Sequence, residues 1–190
     1  MSALGAGCVT DGRLVVSLGT SGTLFGYSPT PVMDPTGAVA PFCDATGGYL
    51  PLLCTMNCTQ VVSEVVSAFS GGSGGSGGGD GGYGGAGTAT TGSEAHETLA
   101  AQAENFPPGC DGVRFLPYLV GERSPNWPHA SGALTGLRPG SLGKPGLLYR
   151  AAVEGATYSL LAGVKRMNEL GLPPPTELAV VGGGSKSALW

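Results

Sequence analysis

Two short segments place glycine and hydroxyl side chains directly after apolar runs that resemble β-strands. One segment comprises Gly19, Thr20, Ser21, Gly22 and Thr23, and the other comprises Gly182, Gly183, Gly184 and Ser185. Glycine permits positive φ and lets a ligand approach the main chain, and successive backbone N–H groups can bind an anion. In the second segment an expected helix N-terminus adds unpaired N–H groups and a favourable dipole. Both segments are candidate phosphate sites, although most turns of this composition are only turns.

The flanking patterns predict the elements that position these segments. Two strands at 13–21 and 23–28 form a hairpin around the first glycine segment, and a third strand is expected at 49–56. Asn57 is a good N-cap for a helix over 57–69, whose valines fall on one helical face. Three later elements are a short strand from residue 112, a long helix over 147–171 and a buried strand over 177–181 that precedes the second glycine segment.

Composition limits the class of protein. The chain has 190 residues, 41% of them hydrophobic, which suits one domain. A net charge of −4 without a basic cluster disfavours a nucleic-acid partner, and the apolar runs are too short for a membrane span of ~20 residues. Five cysteines without a C-x-x-C pair favour a reducing, cytoplasmic location. Cys54 and Cys58 lack the further ligands of a zinc site and are expected to be buried small side chains.

Residues 70–93 consist almost entirely of glycine, serine, threonine and alanine. Such a composition cannot offset the entropy of an ordered backbone, so we predict a disordered insert within the folded domain. A glycine-rich phosphate-binding loop is the alternative interpretation. That alternative requires a fixed spacing and a following helix, and the sequence indicates neither.

Five blocks of sequence resemble the FGGY carbohydrate kinases, in the same order along the chain. They are "ALGAG" at 3–7, "SLGTSGTLF" at 17–25, "FLPYLVGERSPNWPHASGALTGL" at 115–137, "RAAVEGATYSL" at 150–160 and "VVGGGSKSALW" at 180–190. Within the family the blocks are most similar to those of the xylulokinases. The resemblance implies an α/β fold of the actin-like, ribonuclease-H-like type, with residues 1–190 corresponding to the C-terminal one of two such domains.

The resemblance also implies an activity and a nucleotide site. The activity is ATP- and Mg²⁺-dependent phosphorylation of a sugar, D-xylulose to xylulose 5-phosphate, with this chain supplying the nucleotide-binding half. Gly19, Thr20, Ser21, Gly22 and Thr23 would line the β- and γ-phosphates, and Gly182, Gly183, Gly184 and Ser185 would face the adenosine. The implied partners are the sugar, ATP and an N-terminal kinase domain.

The family pattern extends beyond both ends of this sequence. The catalytic aspartate of these kinases lies in a Gly-Asp-Asn segment ahead of the residues that match 2–7, and a further strand and helix follow the residues that match 180–190. We therefore expect a partial domain whose catalytic aspartate lies elsewhere; Asp11, in an expected turn, is a weak substitute. A nucleotide-binding or interaction module without catalysis, and a non-functional fragment, are the alternatives.

Three further side chains, Glu122, Arg123 and Trp127, have both a functional and a structural interpretation. Glu122 and Arg123 form either a functional pair at the cleft or a loop ion pair, and the structural interpretation is favoured. Trp127 has two interpretations, stacking on a base of a ligand or packing as an anchor of its own loop. The neighbouring prolines favour the loop anchor. His96 and His129 lack a nearby nucleophile motif and receive no catalytic role.

Overall fold

The computed structural model describes residues 2–70 and 89–190. Most of the predicted insert 70–93 lies outside these ranges, and its last residues, from Ala89, begin a helix. The strands are β1 (Arg13–Leu18), β2 (Gly22–Gly26), β3 (Val39–Cys43), β4 (Tyr49–Thr55), β5 (Arg114–Leu116), β6 (Ala133–Thr135) and β7 (Glu177–Val181). The helices are α1 (Ser2–Gly5), α2 (Thr59–Phe69), α3 (Ala89–Ala103) and α4 (Pro145–Glu169), and three short 3₁₀ turns include Gly183–Lys186.

A five-stranded sheet in the order β3-β4-β2-β1-β7 forms the centre of the fold. β1 and β2 form the predicted antiparallel hairpin, with Leu18 opposite Gly22. β7 pairs with β1 in parallel, with Val15 beside Ala179. Because parallel strands end at the same edge of a sheet, the segments that follow β1 and β7 lie next to each other.

The long helix α4 packs across one face of this sheet. Leu24 and Leu53 of the sheet join Leu160 and Met167 of α4 in one buried cluster. Gly163 permits this close approach, since a Cβ there would lie 3.0 Å from the Leu53 side chain. α2 and α3 pack against the first half of α4 in a second cluster, and the N-terminal residues around Cys8 cover the opposite face of the sheet.

The predicted hairpin, third strand, long helix and β7 are confirmed, but some local details differ. β3, β6, α1 and α3 were not predicted; α3 is rich in alanine and buries few apolar side chains. Asn57 does not cap α2: Cys58 occupies the N-cap position, while the Asn57 amide donates to the carbonyl of Gly121 at 2.7 Å. The Asn57 side chain therefore bonds to the 117–128 loop and not to the N-terminus of α2, where its local helix-capping propensity would place it.

All five cysteines are free thiols in the described residues. α4 is the longest helix of the described ranges at 25 residues, and neither it nor any other helix there is apolar enough over a sufficient length to cross a bilayer.

Candidate nucleotide site

The turn between β1 and β2, residues 19–21, is held by the first turn of α2. The N–H of Cys58 donates to the carbonyl of Thr20 at 3.1 Å, and that of Thr59 donates to the carbonyl of Gly19 at 3.0 Å. Since C=O and the next N–H point in opposite directions across a trans peptide, the N–H groups of Thr20 and Ser21 point away from α2. Within residues 2–70 and 89–190 these two donors have no acceptor, so they are available to an anionic ligand.

Gly22, which ends this turn, is required by packing rather than by a left-handed backbone. The expected positive φ is wrong for this segment, because neither Gly19 nor Gly22 adopts one. Gly22 is the first residue of β2, where a Cβ would lie 2.7 Å from the Thr55 hydroxyl oxygen. Thr23 is also a β2 residue and pairs with Cys54 of β4.

The second glycine segment, residues 182–185, lies over the end of β1. Gly182 has a φ of 90°, and a Cβ there would lie 2.7 Å from the Leu18 carbonyl oxygen. At Gly184 a Cβ would lie 2.7 Å from the Leu18 Cβ. These glycines are therefore required by close approach, which brings the segment against the β1–β2 turn.

The expected α-helix N-terminus at this segment is wrong. A single 3₁₀ turn, Gly183–Lys186, follows Gly182. Both the N–H of Ser185 (3.2 Å) and its hydroxyl (2.7 Å) donate to the carbonyl of Gly182. A single turn whose donors are already paired has little macrodipole. Any ligand here would therefore contact the glycine main chain through close fit, and not through the dipole of a helix N-terminus.

A cavity of about 710 Å³ brings the two segments together. It is lined by Gly19 and Thr20 of the first segment and by Gly183 and Gly184 of the second. The other predicted site residues, Ser21, Gly22, Thr23, Gly182 and Ser185, do not line it. The volume lies within the usual range for small-molecule sites of roughly 300–1,000 Å³. Two segments separated by most of the chain therefore share one concave site.

The far wall of this cavity comes from α3, with contributions from α2 and α4. Sequence reasoning missed these residues, because α3 was not predicted. Glu97 of α3 and Glu104, which follows the helix, are exposed at this wall, and Lys186, which follows the second segment, also lines the cavity. Carboxylates repel phosphate. A phosphorylated ligand would therefore place its charge at the β1–β2 turn and its uncharged end near α3.

Glu122 is a buried structural carboxylate rather than a member of an ion pair. Its side chain accepts hydrogen bonds from the backbone N–H groups of Met56 (2.7 Å) and Arg123 (2.7 Å) and from the Asn57 amide (3.2 Å). The favoured structural interpretation holds, but the predicted ion pair with the Arg123 side chain is not formed among the described residues. Glu122 ties the 117–128 loop to the junction of β4 and α2.

Other sequence candidates lie away from the cavity. Asp11 precedes β1 and Gly19 follows it, so the six residues of β1 separate this carboxylate from the glycine turns. Trp127 is half exposed, packs edge-to-face on Tyr118 with ring centroids 5.5 Å apart, and pairs with the Glu122 backbone, which supports the loop-anchor interpretation. His129 is exposed and does not line the cavity. His96, by contrast, lies on the cavity wall.

The chain is similar in sequence to carbohydrate kinases. Residues 14–190 match the model of the C-terminal domain of the FGGY family of carbohydrate kinases. The chain is 39% identical over 189 residues to a xylulose kinase of Streptomyces rubiginosus and 30% identical over 193 residues to a gluconokinase of Bacillus subtilis. The alignments cover 100% of this chain but 32% and 35% of those proteins.

Solved structures show the same relation in three dimensions. A xylulose kinase from Bifidobacterium adolescentis superposes with a TM-score of 0.77 at 32% identity, and one from Rhodospirillum rubrum with a TM-score of 0.81 at 26% identity. They match 99% and 100% of this chain and 32% and 34% of their own chains. The expected actin-like α/β fold is confirmed, and the chain spans about a third of the length of the relatives it matches.

Proposed function

The chain belongs to the FGGY family of carbohydrate kinases, and from that premise we propose that it forms the nucleotide-binding part of an ATP-dependent sugar kinase. The observation that carries the proposal is the shared cavity, in which Gly19 and Thr20 meet Gly183 and Gly184. The first pair belongs to a turn whose Thr20 and Ser21 N–H groups have no acceptor among the described residues. The second pair places glycine backbone, without side chains, at the cavity wall. D-xylulose is the proposed sugar, which the names of several relatives support.

The phosphate end of the proposed site is the β1–β2 turn. The N–H groups of Thr20 and Ser21 lie opposite carbonyls that α2 binds and have no acceptor among the described residues, so their orientation is set before negative charge develops on the transferring group; Thr20 lines the cavity, and Ser21 is next to it in the chain. We propose that the hydroxyl of Thr20, a residue of the cavity wall, adds a further donor. Contacts from Gly22 and Thr23 to phosphate, and from Gly182 and Ser185 to adenosine, stay predictions.

Magnesium fits this site as a partner of the nucleotide rather than of a dedicated protein cage. In the described ranges no group of three histidine, cysteine or acidic side chains is placed to hold a metal. Mg²⁺ commonly binds through substrate phosphates, water and one or two carboxylates, where it neutralises phosphate charge. We propose that it enters as MgATP.

The proposed reaction is phosphoryl transfer to a sugar hydroxyl. The hydroxyl oxygen forms a bond to the γ-phosphorus while the bond to the β–γ bridging oxygen breaks, and a carboxylate accepts the hydroxyl proton. Asp11 is not placed for that role, since β1 separates it from the turn. We propose that the carboxylate is the aspartate of the family's Gly-Asp-Asn segment, with this chain holding the nucleotide against it.

Titration of MgATP into the Thr20→Val variant tests the phosphate assignment. Valine keeps the shape of threonine but removes the hydroxyl, so we expect about tenfold weaker binding, as for loss of one hydrogen bond to a charged group. The matched control is Thr135→Val, in exposed β6 and away from the cavity. Equal affinity in both variants would contradict the assignment.

A further inference from the structure

A continuous hydrogen-bond chain crosses three helices at the wall of the cavity. The Tyr149 hydroxyl of α4 lies 3.4 Å from Nδ1 of His96 on α3, and Nε2 of His96 lies 3.5 Å from the Ser63 hydroxyl oxygen on α2. Ser63 in turn donates to the carbonyl of Thr59 at 3.1 Å. All four residues line the cavity.

The hydrogen bonds from Tyr149 to Thr59 can be donated in only one consistent direction. The single hydroxyl hydrogen of Ser63 is used at Thr59, so Ser63 can only accept from Nε2–H of His96. A neutral imidazole with hydrogen on Nε2 has an acceptor at Nδ1, which takes the Tyr149 hydroxyl hydrogen. Burial lowers the pKa of His96, which agrees with a neutral ring.

This arrangement occupies both polar edges of the His96 ring. The ring stands nearly perpendicular to Tyr149, at 75° with centroids 6.0 Å apart. With both nitrogens bonded to protein, the ring has no free donor or acceptor, so a ligand in the cavity can contact only its face or its carbon edge. Ala100, one helical turn further along α3, continues this uncharged part of the wall.

The other end of the same cavity is the phosphate end proposed above. Thr59, which terminates the hydrogen-bond chain, also donates its N–H to the carbonyl of Gly19 in the β1–β2 turn. Glu97, next to His96 on α3, and Glu104, just after the helix, place negative charge on this wall, which disfavours phosphate there. The nucleoside end of a bound nucleotide is therefore the part that reaches the ring.

We propose that His96 is a specificity-determining residue that stacks its ring face on the nucleobase, an inference that rests on the proposed nucleotide site. Stacking on a ring depends on the area of the base and not on its hydrogen-bonding groups, so the site accepts either purine. MgATP and MgGTP should bind within about threefold of each other, and MgCTP more weakly because a pyrimidine has a smaller face.

Two variants of His96 separate stacking from a merely structural role. His96→Phe keeps a flat ring and loses both hydrogen bonds, whereas His96→Gln keeps hydrogen-bonding groups and loses the ring. Stacking predicts that the Gln variant loses about tenfold in MgATP affinity while the Phe variant stays within about threefold of the native chain, in line with base–aromatic stacking elsewhere. Affinity for inorganic magnesium tripolyphosphate, which has no base, should stay within about twofold in both.

The measurement is isothermal titration of the 190-residue chain, with thermal unfolding confirming that each variant is folded. If the Gln variant binds MgATP as the native chain does, or if it loses tripolyphosphate affinity equally, the stacking role is overturned while the nucleotide site stands. If the native chain binds neither MgATP nor tripolyphosphate, both the proposed function and this inference fail. A variant that does not fold is replaced by His96→Leu, for which stacking predicts the loss seen in Gln.

Discussion

The two glycine segments of the site look alike in sequence but contain glycine for different reasons. In the turn after β1, carbonyls are tied to α2 and the opposing N–H groups have no acceptor among the described residues, while Gly22 makes room for Thr55. In the segment after β7, the backbone bends over Leu18 with a positive φ at Gly182, and donors close on the segment's own carbonyl. The first segment supplies ligand donors, and the second supplies close packing. Glycine content alone does not distinguish these uses.

The largest expected effect of a single change is at Gly182. Alanine there combines a positive-φ, extended backbone that is essentially restricted to glycine, costing about 1–3 kcal/mol, with a Cβ 2.7 Å from the Leu18 carbonyl oxygen. We expect Gly182→Ala to lower the free energy of unfolding by about 3–4 kcal/mol in urea denaturation. Gly183→Ala is the matched control, since its Cβ meets nothing within 4 Å. Equal losses in the two variants would remove the packing explanation for this segment.

A smaller effect is expected inside the first segment. Gly22→Ala places a Cβ 2.7 Å from the Thr55 hydroxyl and 3.0 Å from Leu160, so we expect a loss of about 2 kcal/mol from overpacking. Gly19→Ala meets only the Ser21 carbonyl at 3.3 Å and should change stability by less than about 1 kcal/mol. Urea midpoints of both variants measure the difference. A larger loss at Gly19 than at Gly22 would show that the turn itself, rather than β2 packing, limits stability.

The smallest expected effect is a pH dependence of the free energy of unfolding that arises from Cys58, which holds the first segment. Burial raises the pKa of Cys58, whose N–H holds the Thr20 carbonyl, to about 11. A raised pKa means that stability is complete below the unfolded value of 9.0 and is lost as pH rises towards 11. At pH 10 the native chain should have lost about 1 kcal/mol relative to pH 8 through this thiol. Cys58→Ala, compared with itself at the two pH values, should lack that part of the decline; an unchanged decline would assign it to other groups.

The sequence predicted the sheet strands near the site because their patterns are local. β1, β2, β4 and β7 are apolar runs bounded by turn residues, and the parallel pairing of β1 with β7 places their following segments together. The family resemblance named nine site residues, of which the structure brings Gly19, Thr20, Gly183 and Gly184 to one cavity.

The rest of the site depends on contacts that no local pattern contains. α3 lies beside the glycine-rich tract and has weak amphipathicity, so His96 looked like an isolated histidine until α2 and α4 placed Ser63 and Tyr149 beside its ring. Asn57 had the composition of a helix cap, but the buried Glu122 and the 117–128 loop compete for its amide. In both cases partners more than 30 positions away decide the role of the side chain.

The pairing of β1 with β7 also determines when the site can form on the ribosome. Thr176 bonds to Gly12 across 164 positions, so β1 emerges long before its parallel neighbour exists. At roughly 5–20 residues per second, synthesis leaves that strand edge open for about 8–32 s. Closing so long a loop is also entropically costly, which slows pairing after release. During that interval the nascent β1–β2 hairpin exposes an unpaired edge, and chaperones that shield such edges would act on it before any cavity is available to a nucleotide.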